Sequence, residues 1–128
     1  ESKIVIETEK NSIIAQVGVG GNAKGFVLYL PHEHSGPVPL HVLTSEIIGK
    51  IVVGHTFNRD GLLKAIGMEV SGIVVNMINE SDTAYIAERN LTIPLVQVAD
   101  DDYRKITKWA GKQIFLDGEK KNVVLLHL

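Results

Sequence analysis

The feature that most constrains this chain is a strand–helix–strand pattern in its second half. Residues 73–75 (Ile-Val-Val) form a short β-branched run, which is typical of a strand buried on both faces. Ser81 or Asp82 can cap the helix that follows, and residues 93–98 form a second apolar strand. Such a βαβ unit places the loop over residues 76–83 at the carboxyl end of a parallel strand, where open α/β sheets bind ligands.

A second βαβ unit precedes the first and shares its strand at residues 73–75. Residues 51–54 (Ile-Val-Val-Gly) predict the strand, and residues 59–66 predict the helix. Both crossover loops then meet at one carboxyl edge, so His55 and Thr56 should lie near the 76–83 loop. The candidate ligand-binding residues at this edge are His55, Thr56, Ser81, Asp82 and Thr83.

The remaining elements predict an α/β domain with N-terminal β-hairpins, a βαβαβα core and a C-terminal β-hairpin. Strands are expected at residues 3–8 and 12–17, joined by a turn. A helix is expected at residues 102–110, and a closing hairpin at residues 112–116 and 122–128. The domain would form two sheets, or one sheet with a barrel-like flank, with helices covering one side.

The glycine-rich run GVGGNAKG at residues 18–25 allows two interpretations. A phosphate-binding loop needs a strand before it and a helix after it, so that amide groups face the anion. Here the strand-like residues 26–30 follow instead. We therefore favour a tight hairpin or bulge in which glycine adopts positive φ.

Two clusters could bind metal, and each also has a simpler explanation. The first is a proline-rich loop that contains His32, His34 and His41; His-x-His can chelate zinc, whereas the alternative is a solvated loop. The second is the run of three aspartates at residues 100–102, which could bind a hard cation or simply begin a helix. We predict no metal and no cofactor.

Composition excludes several classes of function. The 128 residues suit one domain, with 45% hydrophobic and 22% charged residues. The net charge of −2 and the lack of a basic run argue against a nucleic-acid partner. There is no cysteine, which favours a cytoplasmic protein, and no apolar run approaches the length of a membrane span. Because the first residue is Glu1 and not Met, we expect a domain taken from a larger protein.

Five short motifs, in order and without large gaps, resemble the swivelling β/β/α phosphohistidine domain of PEP-utilising enzymes such as pyruvate phosphate dikinase. The run at residues 18–25 resembles its SPGVAxG entry, and GKIVV resembles GDILV. NRD stands where the family has a short D-P-D turn, and AERNLTIP resembles VARELGIP. GKQIFLDG resembles the closing GDxVxVDG, so the resemblance covers residues 13–126.

The resemblance fails where the family's chemistry resides. Aligned without a gap from Pro94, the carrier motif GGxTSHAA places Ser81 on its threonine, Asp82 on its serine and Thr83 on its histidine. Phosphoryl transfer through phosphohistidine needs an imidazole nucleophile, which a threonine hydroxyl does not replace. The resemblance therefore implies the architecture without the activity. A second resemblance of similar strength, to uncharacterised microbial proteins with a KOW-like or barrel-sandwich segment, carries no activity to transfer.

These observations leave three functional hypotheses. The favoured one is a non-catalytic swivelling-type domain that docks to flanking domains or a protein partner, or responds to a ligand. The second is a phosphoryl carrier in which His55 is the relocated nucleophile. The third is a small-ligand or metal-binding domain that uses the histidine loop. Whether the chain is an enzyme is uncertain, with the negative answer favoured, and homo-oligomerisation stays open.

Overall fold

A computed structural model describes residues 11–30, 36–89 and 91–126. Eight strands, three α-helices and two 3-10 turns (Leu40–Val42 and Ser45–Ile47) follow one another along the chain. The strands are β1 (Ser12–Ile14), β2 (Val17–Val19), β3 (Asn22–Tyr29), β4 (Ile51–Gly54), β5 (Gly72–Val75), β6 (Leu95–Gln97), β7 (Gln113–Asp117) and β8 (Asn122–Leu125). The helices are α1 (Arg59–Gly67), α2 (Glu80–Glu88) and α3 (Asp100–Thr107).

The strands form one mixed sheet in the order β1-β8-β7-β3-β4-β5-β6-β2. The long strand β3 joins its two halves. Residues 22–26 of β3 pair antiparallel with β7, and residues 27–29 pair parallel with β4. Strands β3 to β6 are parallel neighbours in chain order, so the βαβαβα core predicted from the sequence is confirmed.

The two ends of the sheet are joined by one continuous segment, residues 12–19. Its first half, β1, pairs with β8, and its second half, β2, pairs with β6. Between the halves, the Ala15 N–H donates to Lys121 O and the Gln16 N–H donates to Gln97 O, each at 2.8 Å. The sheet therefore closes on itself, and the predicted barrel-like flank corresponds to this closure.

Side chains alternate between two cores along the parallel strands. Ile51, Val53, Val74 and Val96 face a core that includes Ile106 and Trp109 at the end of α3. The intervening residues of the same strands face a second core with α1 and α2, which includes Val52, Ile73, Val75, Leu95, Leu62 and Ile86. These strands are buried on both faces, as their β-branched runs predict.

Other elements differ from the sequence prediction in detail. Strands β2 and β3 flank the glycine cluster but pair with other strands and not with each other, so no hairpin forms there. Gly20 does adopt positive φ (87°). The C-terminal hairpin is confirmed as β7–β8, whereas α3 begins at Asp100 and not at residue 102. The predicted strand at residues 3–8 lies outside the described residues.

No helix in the described part of the chain is long and apolar enough to cross a membrane.

The closure leaves no space for side chains where residues 17–21 pass the β7–β8 turn. A Cβ on Gly118 would overlap the carbonyl oxygen of Val19, and the Gly118 N–H donates to Gly21 O at 2.8 Å. We expect Gly118→Ala to lower the free energy of unfolding by about 1–3 kcal/mol, because the two backbones must separate.

Chemical denaturation followed by circular dichroism measures this loss. Gly67→Ala is the matched control, since a Cβ there meets nothing within 4 Å at the end of α1. Equal unfolding midpoints for Gly118→Ala and Gly67→Ala would contradict the closure.

Candidate functional site

The carboxyl edge of the parallel strands carries a polar side chain at each strand end. Tyr29 and Gln97 end β3 and β6, while His55 and Asn76 directly follow β4 and β5. Gln16 completes the row, because it precedes β2, which runs antiparallel to β6. All five are partly or fully accessible to solvent, unlike Val53, Val75 and Val96 near the ends of β4, β5 and β6, which are buried.

This edge contains a topological switch point between β5 and β6. Helix α2 leaves β5 toward the core that contains Ile86, whereas α3 leaves β6 toward the opposite core that contains Ile106. The two connections therefore diverge and leave a gap at the strand ends. Open α/β sheets bind ligands in such gaps.

A crevice of about 550 Å³ occupies this gap. Its lining comes from the β1–β2 junction, the β5–α2 loop and the β6–α3 connection. The residues are Gln16, Asn76, Met77, Gln97, Ala99, Asp100, Asp101 and Arg104. The lining is thus mostly amide and charged groups, with Met77 as an exposed apolar side chain.

Asn76 fixes one wall of the crevice. Its Nδ2 donates to Val98 O at 3.1 Å and to Asp100 Oδ1 at 3.0 Å. Its backbone N–H and that of Met77 both donate to His55 O, at 3.0 Å each. Asn76 thereby connects the ends of β4, β5 and β6.

Gln97 fixes the opposite wall. Its Oε1 accepts from the Ile78 N–H, and its Nε2 donates to Gln16 Oε1, both at 3.0 Å. The first bond holds the β5–α2 loop against β6, and the second holds the β1–β2 junction beside it. The crevice therefore has walls that are fixed by hydrogen bonds before any ligand binds.

His55 lies at the same edge, in a contact with aromatic side chains. Its ring packs edge-on against Tyr103 of α3, with centroids 6.3 Å apart and an interplanar angle of 79°. Burial raises the pKa of Tyr103, and the nearby Tyr29 raises it further through charge and a side-chain hydrogen bond. A neutral phenol is therefore favoured at this position.

Ser81, Asp82 and Thr83 occupy the first turn of α2 and have local structural roles. The helix is capped by Asn79, whose Oδ1 accepts from both the N–H and the hydroxyl of Ser81; the predicted cap at Ser81 or Asp82 is wrong. The Thr83 hydroxyl donates to Glu80 O at 2.9 Å. Asn79 accepts the cap bond because its side chain stands one residue before the helix.

Asp82 is buried and binds Arg59 at the start of α1. The Arg59 Nε donates to Asp82 Oδ1 at 2.5 Å, and its Nη2 donates to Ser81 O at 3.1 Å. The guanidinium also stacks over Tyr85 of α2, 4.1 Å from the ring centroid. Asp82 therefore joins α1 to α2, since a buried carboxylate needs a partner of this kind.

The candidate residues predicted from the sequence separate into two groups. His55 contacts Tyr103 near the crevice, whereas Ser81, Asp82 and Thr83 bond within α2 or to Arg59. In the described residues, no hydrogen bond joins the two groups. The half-buried Thr56 forms a hydrogen bond through its backbone carbonyl, which accepts from the Val38 N–H at 2.8 Å.

Sequence reasoning missed most of the crevice. Asn76 and Asp100 could have been found, because each closely follows a buried apolar run at a predicted carboxyl edge. Gln16 had no such signal, since its position depends on the pairing of β2 with β6.

The two clusters that were weighed as possible metal sites gain no ligand set from the described residues. His41 is exposed in the first 3-10 turn, while His32 and His34 lie outside the described residues. The three aspartates form the first turn of α3, and Asp101 pairs with Arg104. Among described residues, no three metal-ligating side chains of His, Cys, Asp or Glu come together.

The pKa shift of Tyr103 predicts a loss of stability at alkaline pH. In the unfolded chain the phenol ionises near pH ~10, while the folded protein keeps it protonated to higher pH. Its contribution to stability is therefore fully present below about pH 10 and decreases as the pH rises above it.

Urea unfolding of wild type and Tyr103→Phe on both sides of this pH measures the effect. The advantage of wild type over Tyr103→Phe should shrink as the pH rises. A constant or growing advantage would show that the phenol is not held neutral by the fold.

The sequence matches no known family and no curated protein. Similarity appears at the level of structure. The chain superposes on a UPF0107 protein solved by NMR with a TM-score of 0.64 and 19% identity, covering 91% of this chain and 99% of that one. It superposes on aconitase X from Thermococcus kodakaraensis, in its holo-form, with a TM-score of 0.60 and 21% identity, covering 91% and 98%.

A third similar structure is the subtilisin-like protease Apa1 from the Antarctic psychrotroph Pseudoalteromonas sp. AS-11. Its TM-score is 0.51 at 11% identity, and the match covers 89% of this chain but 31% of the protease. At these identities the likenesses concern the fold alone. They agree with the mixed α/β class that the sequence predicts.

Proposed function

We propose that this chain is a non-catalytic, swivelling-type domain that binds a small polar ligand in its carboxyl-edge crevice. It would act as a ligand-responsive module that docks to a protein partner. The observation that carries the proposal is the crevice itself, a gap of about 550 Å³ at a topological switch point. Its walls are held by the hydrogen bonds of Asn76 and Gln97, so little order must be gained on binding.

The hydrogen bonding of α2 supports the non-catalytic part of the proposal. Thr83 occupies the position that corresponds to the histidine of the phosphohistidine domains, and its hydroxyl donates to Glu80 O. Asp82 is paired with Arg59 and does not act as a base on that hydroxyl. The residues at the start of α2 therefore cap this helix and connect it to α1.

The fold neighbours support the idea of a compact unit. The matched regions of the UPF0107 protein and of aconitase X span 99% and 98% of those chains. A domain of this extent can therefore stand as a whole chain. The fold likeness alone does not assign the activity of either protein to this chain.

One observation favours a second candidate, the phosphoryl carrier that uses His55. The half-buried imidazole lies at the same carboxyl edge and is oriented by the Tyr103 ring. Against it, no carboxylate contacts the His55 ring in the described part of the chain. An imidazole nucleophile is usually oriented by such a partner.

A fragment screen by NMR tests the binding function. Small polar compounds should shift the backbone amides of Met77, Ala99 and Asp101 around the crevice. Met77→Trp should abolish these shifts, because the larger side chain fills the opening; Met77 is 58% exposed, so the fold tolerates the change.

Leu63→Trp is the matched control, since Leu63 is also exposed but lies on α1 away from the crevice. Its spectra should respond to the same compounds as wild type. Shifts that persist in Met77→Trp, or that cluster elsewhere on the surface, would overturn the proposed site.

A further inference from the structure

We infer that the ligand of the crevice is a small zwitterion that carries an ammonium and a carboxylate group on one carbon atom, as α-amino acids do. The inference rests on the proposed binding function and adds the chemistry of the ligand. Some polar groups in the crevice are already hydrogen-bonded within the protein, and the others are left for a ligand. The inference follows from the chemistry of the groups that are left.

The wall formed by Asn76 and Asp100 is left with acceptors. Both amide hydrogens of Asn76 are donated, to Val98 O and to Asp100 Oδ1. The side-chain group left for a ligand is therefore its Oδ1, which is an acceptor. Asp100 receives this bond from a neutral amide, and among the described residues no cation pairs with its carboxylate. Two acceptors and an uncompensated negative charge favour an ammonium group.

Two other residues of the crevice lining, Gln16 and Arg104, are left with donors. Gln97 uses its Nε2 on Gln16 Oε1, which leaves the exposed amide NH2 of Gln16 for a ligand. Arg104 pairs with Asp101, but both side chains are largely exposed, at 68% and 91%, so the pair is weak and can rearrange. These donors favour a carboxylate.

The positions of the charged groups limit the ligand to a short span. Asp100 and Arg104 are four residues apart on α3, so their Cβ atoms are about 5–6 Å apart on one face of the helix. A ligand that binds both side chains must therefore carry its ammonium and its carboxylate close together. This is the geometry of the two groups on one carbon atom.

A phosphate dianion fits the same crevice poorly. Asp100 and Asp101 place two carboxylates in its lining against the single guanidinium of Arg104. A ligand with two negative charges would be repelled by Asp100. A zwitterion satisfies both the acceptors and the donors without net charge.

Amide chemical-shift titrations with four probes test the inference: glycine, methylammonium, acetate and inorganic phosphate. Glycine should shift the crevice amides at concentrations about tenfold lower than either methylammonium or acetate. Only glycine carries both an ammonium for the acceptors and a carboxylate for the donors. Asp100→Asn should weaken glycine binding by at least about tenfold, since the charge is lost while the side-chain shape is kept.

Asp102→Asn is the control, because Asp102 lies in the same helical turn but outside the crevice lining. It should leave glycine binding unchanged. Acetate or phosphate binding in the crevice as tightly as glycine would overturn the zwitterion while the binding function stands. If glycine causes no shifts while fragments still bind in the crevice, the zwitterion inference fails and the binding function stands. If fragments also fail to bind, the proposed function fails as well.

Discussion

The structure depends on the pairing of one continuous segment, residues 12–19, with both ends of the sheet. Its halves bond to β8 and β6, which are far apart in the sheet order. Gly18 and Gly118 allow the backbones to approach at the crossing, where a Cβ at either position would overlap a carbonyl oxygen. Without this closure, β6 would be an edge strand and Gln16 would not reach the crevice.

The closure and the two cores together position the site. Helices α1 and α2 cover one face of the parallel strands, and α3 covers the other. The divergence of α2 and α3 opens the sheet edge between β5 and β6, and the segment at residues 12–19 borders the opening on its far side. The site is thus a consequence of chain topology, while its chemistry comes from the side chains at strand ends.

The parts of the fold that depend on local pattern were predictable from the sequence. Residues 73–75 and 51–54 are buried on both faces, and the helix predicted over residues 59–66 is α1. Pairing between distant segments was not predictable, because hydrophobic alternation indicates a strand but does not identify its partner. For this reason, the sequence predicts a hairpin or bulge at the glycine cluster, although β2 and β3 bond to other strands.

The sequence predicts a site at the carboxyl edge that also contains the crevice, but with partly different residues. His55 lies where the βαβ pattern places it, whereas Ser81, Asp82 and Thr83 are engaged in α2. Capping explains the difference. Residues with short polar side chains at a helix start bond to the helix itself, and the sequence does not show which of them are left for a ligand.

We propose that this chain binds a ligand and does not carry phosphate. The most direct measurement incubates the chain with PEP, ATP and the nucleotide- and PEP-binding domains of a pyruvate phosphate dikinase. The phosphohistidine domain of that enzyme serves as the positive control. We predict acid-labile phosphate on the control domain and none on this chain. Acid-labile phosphate that appears on this chain and is lost in His55→Ala would contradict the claim and establish the phosphoryl carrier instead.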